Sequence, residues 1–187
     1  MTKHILVAYV EDKPGVLNRV ASLFRRRAFN IESLTVGRTE QDGISRMTIV
    51  IDSDDVGARR VEANLYKLVN VLRVDDVTSK PCVIRDLALV KVAVTPAHRA
   101  EVLQLVDVFR ARVVDVQDRA LIVEVTGAED KIEQLINVLT RFGVIEMVRT
   151  GIVAMARGSE AVSPNPPLVA AEVVEESTAV ASVAMSV

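Results

Sequence analysis

Aromatic side chains make up only 3% of this chain and tryptophan is absent, so a surface that binds RNA by stacking bases has little to build from. A single cysteine, Cys82, excludes an intrachain disulfide and any cysteine-based zinc cluster, and it suits a reducing cytosol. No apolar run reaches the length of a membrane-spanning helix, and the one at the N-terminus is ended by Glu11 and Asp12, too short for a signal peptide. Neither sign of charge dominates: 23 basic residues face 25 acidic ones, a net charge of −2 that gives no nucleic-acid footprint and no membrane-surface bias. The 8 glycines are scattered and form no phosphate-binding loop, and His4 and His98 stand apart from other ligand-spaced groups. No nucleophile-base pair or metal spacing is found, so no catalytic residue and no metal ligand is assigned.

What is present begins with a strand, a turn and a helix. His4 to Val10 is apolar on both alternating faces, as a central strand would be. Pro14 and Gly15 break the run, one presetting φ and the other letting backbone pass where a Cβ would collide. From Gly15 the spacing becomes helical, with Leu17, Val20, Ala21, Phe24 and Ala28 on one face and Asn18, Arg19, Ser22 and Arg26 elsewhere. The loop thus delivers a helix N-terminus whose unpaired amides suit a carboxylate, although an ordinary strand-to-helix connection has the same look. Arg25, Arg26 and Arg27 close the helix as a solvated end complementing its dipole, with a phosphate or partner patch as the other reading. Asn30, just beyond, is compatible with a left-handed backbone position.

The pattern up to Val77 is β-α-β-β-α-β, with strands near 4–10, 31–37, 44–52 and 70–77 and helices near 15–28 and 54–67, the second capped by Asp54 or Asp55. A linker around Ser79-Lys80-Pro81 leads to the same grammar again: strand Ile84–Val94, helix Pro96–Phe109, strands Val113–Gln117 and Ala120–Thr126, helix Ala128–Phe142 stopped by Gly143, and a last strand from Val144 to about Met155. Cys82 reads as packing beside the linker. The fold class is α/β of the α+β kind: two ferredoxin-like βαββαβ two-layer sandwiches over 4–78 and 84–158. From 159 to 187 the pattern ends in closely spaced prolines, Pro164, Pro166 and Pro167, then small residues without a sustained face; a mobile, disordered tail is expected, with a short helix over Val169–Glu176 as the alternative.

Glu11-Asp12-Lys13-Pro14-Gly15-Val16-Leu17-Asn18-Arg19-Val20 and Phe29-Asn30-Ile31-Glu32-Ser33-Leu34-Thr35-Val36 resemble the ACT domain that opens the acetolactate synthase small regulatory subunit. Ser45-Arg46-Met47-Thr48-Ile49, Lys67 to Val74 and Arg149-Thr150-Gly151-Ile152-Val153 extend the resemblance from His4 to Gly158. It implies that the amides of Gly15, Val16 and Leu17 hold an amino acid's carboxylate and that Asp12 faces its ammonium group. Many family members have Asn at the position of Asp12. It also implies that two ACT domains pair side by side as a homodimer, so that Asn30 and Ile31 of one chain complete the pocket formed by the loop of the other. For Asn30 a helix-exit residue is the plain alternative. Asn18 is either a pocket-rim position or solvent-facing.

Three classes of function follow. The leading one, implied by the resemblance, is a noncatalytic, cytoplasmic regulatory subunit. It would activate a catalytic large subunit and confer feedback inhibition by valine or a related branched-chain amino acid. The chain itself would bind no cofactor; thiamine diphosphate, magnesium and FAD are expected on the large subunit. A stand-alone ACT-domain sensor serving another partner is the alternative. An independent enzyme lacks an active site. A nucleic-acid module shares the β-α-β-β-α-β topology, but Tyr9 is the only aromatic in the first and third strands, and no helix-turn-helix is seen.

Overall fold

The computed structural model describes residues 2–158. The expected tail from 159 and its short-helix alternative over 169–176 lie outside the described residues. The first unit runs β1 (Thr2–Glu11), α1 (Val16–Arg26), β2 (Ile31–Arg38), β3 (Ile44–Ser53), α2 (Asp55–Leu65) and β4 (Val71–Asp76). The second runs β5 (Cys82–Ala93), α3 (Pro96–Val108), β6 (Arg112–Val116), β7 (Ala120–Gly127), α4 (Glu129–Thr140), β8 (Val144–Arg149) and β9 (Val153–Ala156). The strand orders are β2-β3-β1-β4 and β6-β7-β5-β8, both antiparallel, so the second unit repeats the topology of the first. Both are mixed α and β sandwiches of ferredoxin-like kind.

Period-2 alternation sends Leu6, Ala8 and Val10 of β1 toward the helices, where they meet Val20, Leu23 and Phe24 of α1 and Val61 and Leu65 of α2. The second core repeats this arrangement, with Val90 and Val92 of β5 against Val102, Ile132, Leu135 and Leu139. Asp54 is the residue that caps α2, accepting the Gly57 amide at 2.7 Å.

Helix α1 turns a different face inward from the one its spacing suggests. Val16, Val20, Leu23 and Phe24 are buried, an i, i+4, i+7, i+8 stripe, whereas Leu17, Ala21 and Ala28 are exposed. The left-handed residue after α1 is Ala28 at φ 54°, not Asn30. There the Phe29 amide donates to Phe24 O at 3.1 Å and the Ala28 amide to Arg25 O at 3.2 Å, a Schellman closure. Arg110, at φ 48°, ends α3 with the same pair of bonds, Ala111 N–H to Val106 O and Arg110 N–H to Asp107 O, each 2.9 Å. The repeat therefore extends to the caps, although neither position is glycine.

The last strand is not continuous. It breaks at Thr150-Gly151-Ile152, because Thr150 turns back onto β5, its amide donating to Leu87 O at 2.9 Å and its hydroxyl to Asp86 Oδ1 at 3.1 Å. β9 then pairs with the first four residues of β5, Cys82↔Ala156 to Arg85↔Val153, as a two-stranded ribbon. This ribbon covers the face of the first sheet that the helices leave bare: Ala154, Cys82 and Ile84 pack on Ile5, Val7, Tyr9, Ile44 and Val77. Arg46 anchors it by donating to Ala154 O while its guanidinium lies 5.8 Å from the centre of the Tyr9 ring.

Candidate functional site

The loop after β1 is shaped by its backbone. Asp12 N–H donates to Gly43 O at 2.7 Å and Lys13 N–H to Glu11 O at 2.9 Å, which turns the chain out of the sheet. Gly15 takes φ 84° and ψ −7°, a left-handed conformation that favours glycine, and serves as the N-cap of α1 without any side-chain cap bond. The Val16 amide is engaged at 3.3 Å by Lys13 O, and α-helical bonding starts with Arg19 N–H to Gly15 O at 3.0 Å. The amides of Leu17 and Asn18 therefore belong to the open first turn, with the positive end of the helix behind them. A Cβ on Gly15 would meet nothing within 4 Å, so the space above the turn is open.

Around this turn Asp12, Gly15, Leu17 and Asn18 are exposed and Val16 is buried beneath them. Leu17, 45% exposed, adds an apolar rim. Two residues without an expected role complete the surroundings. Arg38, the last residue of β2, brings its Nε to 3.6 Å from Asp12 Oδ2. Asn70 ties the base of the loop together: its carbonyl accepts Glu11 N–H at 2.9 Å, its Nδ2 donates to Glu11 Oε2 at 2.5 Å, and its Oδ1 accepts from Arg19 at 2.8 Å. That amide, with Lys13 beside it, holds the Glu11 carboxyl below the usual carboxylate range. Both residues are distant in sequence from the loop, and only strand pairing brings them there.

Asn30 and Ile31 lie at the other end of the sheet. Ile31 is level with Ile51, and Ile51 with His4, whereas the loop leaves from Glu11, level with Ile44 and near Arg38. The seven-residue offset along β1, 11 − 4, corresponds to roughly 23 Å at strand rise. Within one chain, Asn30 and Ile31 do not reach the loop. β2 pairs only with β3, and its outer edge is free among the described residues, with Val36 42% exposed on it.

A cleft of about 750 Å³ opens between the two units, lined by residues that include Lys3, Glu32, Ser33, Asp86, Glu129 and Thr150. None of the loop residues, nor Asn30 or Ile31, lines it. Arg25, Arg26 and Arg27 are exposed at the end of α1, and Cys82 is half-buried in packing, its thiol donating toward Val77 O at 3.7 Å. His4 is buried, with Nδ1 3.0 Å from Asp76 Oδ2; His98 is exposed.

Comparison with known proteins covers both units. Residues 6–73 match the family described as "AHAS small subunit-like ACT domain", and residues 85–158 match "Small subunit of acetolactate synthase". A probable acetolactate synthase small subunit of Archaeoglobus fulgidus is 49% identical over 158 residues, covering 84% of this chain and 99% of that protein. The chain belongs to the acetolactate synthase small-subunit family. The acetolactate synthase small subunit of Mycolicibacterium smegmatis is 45% identical, over 83% of this chain and 92% of its own. The crystal structure of the Thermotoga maritima small subunit superposes with a TM-score of 0.80 at 41% identity, covering 86% of this chain and all of that one. The first unit is thus an ACT domain, and membership of a small-subunit family implies a catalytic large subunit as partner. Among the described residues no helix is long and apolar enough to cross a membrane.

Proposed function

We propose that this chain is the regulatory subunit of a cytoplasmic acetolactate synthase. It raises the activity of the thiamine-diphosphate-dependent large subunit and makes that activity sensitive to valine or a related branched-chain amino acid. The observation that carries this reading is the separation of the loop from Asn30 and Ile31 together with the open edge of β2. A second copy adding its own β2 antiparallel to this edge sets the Asn30–Ile31 end of one strand against the Arg38 end of the other. The two half-sites then meet twice, once at each end of the paired strands.

In each pocket the amides of Gly15 and Leu17 hold the carboxylate, joined by that of Val16 once it leaves its 3.3 Å bond to Lys13 O; the helix N-terminus helps them, and Asp12 faces the ammonium group. The Arg38 guanidinium that lies near Asp12 in the single chain gives way to that ammonium. Leu17 and Ile31 supply the apolar surface for a branched side chain, and Asn18 and Asn30 sit at the rim. The chain contributes control; the reaction and its cofactors stay with the large subunit.

The test is reconstitution. Activity of the cognate large subunit is measured as this chain is added, with and without L-valine, L-leucine or L-isoleucine. Activation that one of the three reverses at saturating chain is the expected result. No change in rate on adding the chain would reject the regulatory reading, and activation insensitive to all three would reject the effector assignment.

A further inference from the structure

The Arg149-Thr150-Gly151-Ile152-Val153 segment is not used by the loop or by the β2 edge as described so far, yet it brings the second unit into hydrogen-bonding contact with β2. Thr150 belongs to the second unit: besides its bonds to Leu87 O and Asp86, its hydroxyl accepts the Leu87 amide at 3.1 Å. Asp86 is buried and is also held by Arg149 Nε at 2.5 Å, which fixes the start of the crossing to β5. Two residues later the Ile152 amide donates to Ser33 Oγ on β2 at 3.2 Å. Between them Gly151 presses on β2. A Cβ there would lie 2.6 Å from Thr35 Oγ1, closer still to Ser33 Oγ, and 3.3 Å from the Leu34 carbonyl carbon. Gly151 is not among the residues at positive φ, so this position requires room, not a left-handed backbone.

β2 is also the strand that carries Asn30 and Ile31. Its register against β3 shifts between Ile31 and Ser33, a bulge that leaves Glu32 out of the ladder. Glu32 pairs with Lys3 at 3.5 Å, and Lys3 with Glu129, in the first turn of α4, at 3.2 Å. Glu32, by way of Lys3, and Ser33 thus connect the pocket end of β2 to the second unit through side chains, and Thr35 lies beside Gly151. Ser33 and Thr35 face the same side of the strand. One accepts the Ile152 amide; the other, Thr35 Oγ1, is buried without a hydrogen-bond partner. The crossing therefore lies beside two hydroxyls and bonds to one of them, which leaves an unused acceptor for a second arrangement.

We propose that the Thr150–Gly151–Ile152 crossing is the element through which an amino acid bound at the end of β2 acts on the second unit, and that Gly151 is required for this coupling. The inference rests on Asn30 and Ile31 forming half of the effector pocket. A ligand that seats these residues biases the bulge at Glu32, and the bulge sets which arrangement of the crossing Ser33 and Thr35 favour. Because coupling is reciprocal, a change at the crossing alters the response to the effector without touching the residues that bind it.

Three measurements on the full chain test this: calorimetry with L-valine, hydrogen exchange of the peptide covering 150–156 with and without L-valine, and valine inhibition of the reconstituted holoenzyme. The wild type is expected to bind valine and to change exchange in that peptide. Gly151→Val, which forces the crossing off β2, and Ser33→Ala, which removes the acceptor with little disturbance, are expected to keep valine affinity within ~3-fold. Both should lose the exchange response and weaken inhibition by at least about tenfold. Ser33→Ala carries the test if Gly151→Val does not fold. Wild-type inhibition in a folded variant, or valine binding by the wild type with no exchange change in the crossing, overturns the coupling role alone. Loss of valine binding in both variants also overturns it, because the crossing is then part of the pocket's own support. Absence of binding of L-valine, L-leucine and L-isoleucine by the wild type removes the pocket reading and this proposal with it; where leucine or isoleucine binds in place of valine, the same three measurements are made with that amino acid.

Discussion

Gly15 sits at φ 84° with open space where a side chain would project, so an aspartate there keeps the turn at a modest backbone cost and sends a carboxylate over the first-turn amides. Gly15→Asp is expected to abolish valine inhibition while activation of the large subunit persists, because the new carboxylate takes the place of the ligand's own and repels it. Unaltered inhibition by the reconstituted variant would exclude the loop as the carboxylate site. A second residue adds to the acid sensitivity of the first unit. Burial pushes the Asp76 carboxyl up, but the Thr78 hydroxyl and amide and the buried His4 ring together outweigh it and hold the group below the usual carboxylate range. A depressed folded value means that its stabilisation is present above the unfolded value, about 3.9, and lost as pH falls through the lower folded one. Melting curves of the wild type and Asp76→Asn should differ at pH 6 and converge below about pH 4. A difference that stays constant down to pH 3 would show that the carboxylate's ionisation is not what matters.

At the scale of the element, the proposed sharing of the pocket rests on β2. If each pocket takes its loop from one chain and Asn30 from the other, a dimer of one Gly15→Asp chain and one Asn30→Ala chain carries one doubly damaged site and one intact site. Calorimetry should then recover about one valine per heterodimer from two parents that bind weakly or not at all. Verified heterodimers that bind no better than their parents would place the whole pocket in a single chain. The elements themselves were largely legible: turn residues at Pro14-Gly15 and Asp42-Gly43 and the changes between period 2 and period 3.6 mark strands and helices in both units. Phase was harder. Leu17, Ala21 and Ala28 compete with Val16 and Leu23 for the inner face of α1, and only the position of the sheet beneath decides between two apolar stripes. Nor could spacing reveal the break after Arg149, since Ile152 to Met155 continues an apolar strand pattern and Gly151 alone hints at the crossing. Arg38 and Asn70 reach the loop only through strand pairing, which no local pattern encodes.

For the whole molecule, the ribbon of β5 and β9 makes the ACT domain depend on the unit that follows it. Val7 and Tyr9, nearly inaccessible in the full chain, pack against Ala154, Cys82 and Ile84. A chain ending at Ser79 keeps all the proposed loop and edge residues yet bares this face. It should be less stable and more prone to associate than the full chain, and poor at activating the large subunit. A chain ending at Gly158 should match the full chain in both, in keeping with the Archaeoglobus relative, whose length is matched to 99% by 84% of this one. Thermal melts and activation titrations of the two truncations check this. A soluble, fully activating fragment ending at Ser79 would show that the ribbon is dispensable.

The same ribbon also sets an order on biosynthesis. A ribosome releases the chain from its N-terminus, so β1 to β4 can fold as soon as Asp76 has emerged, whereas β9, at Val153–Ala156, is the last of the described strands to be made. Ile5, Val7 and Tyr9 must wait through the synthesis of the entire second unit before their cover is complete, because Cys82 and Ile84 come first and Ala154 last. Nascent chains stalled between those two points present a sheet with one greasy side and an unpaired edge, which is the form that chaperones hold and that neighbouring nascent chains on a polysome stick to.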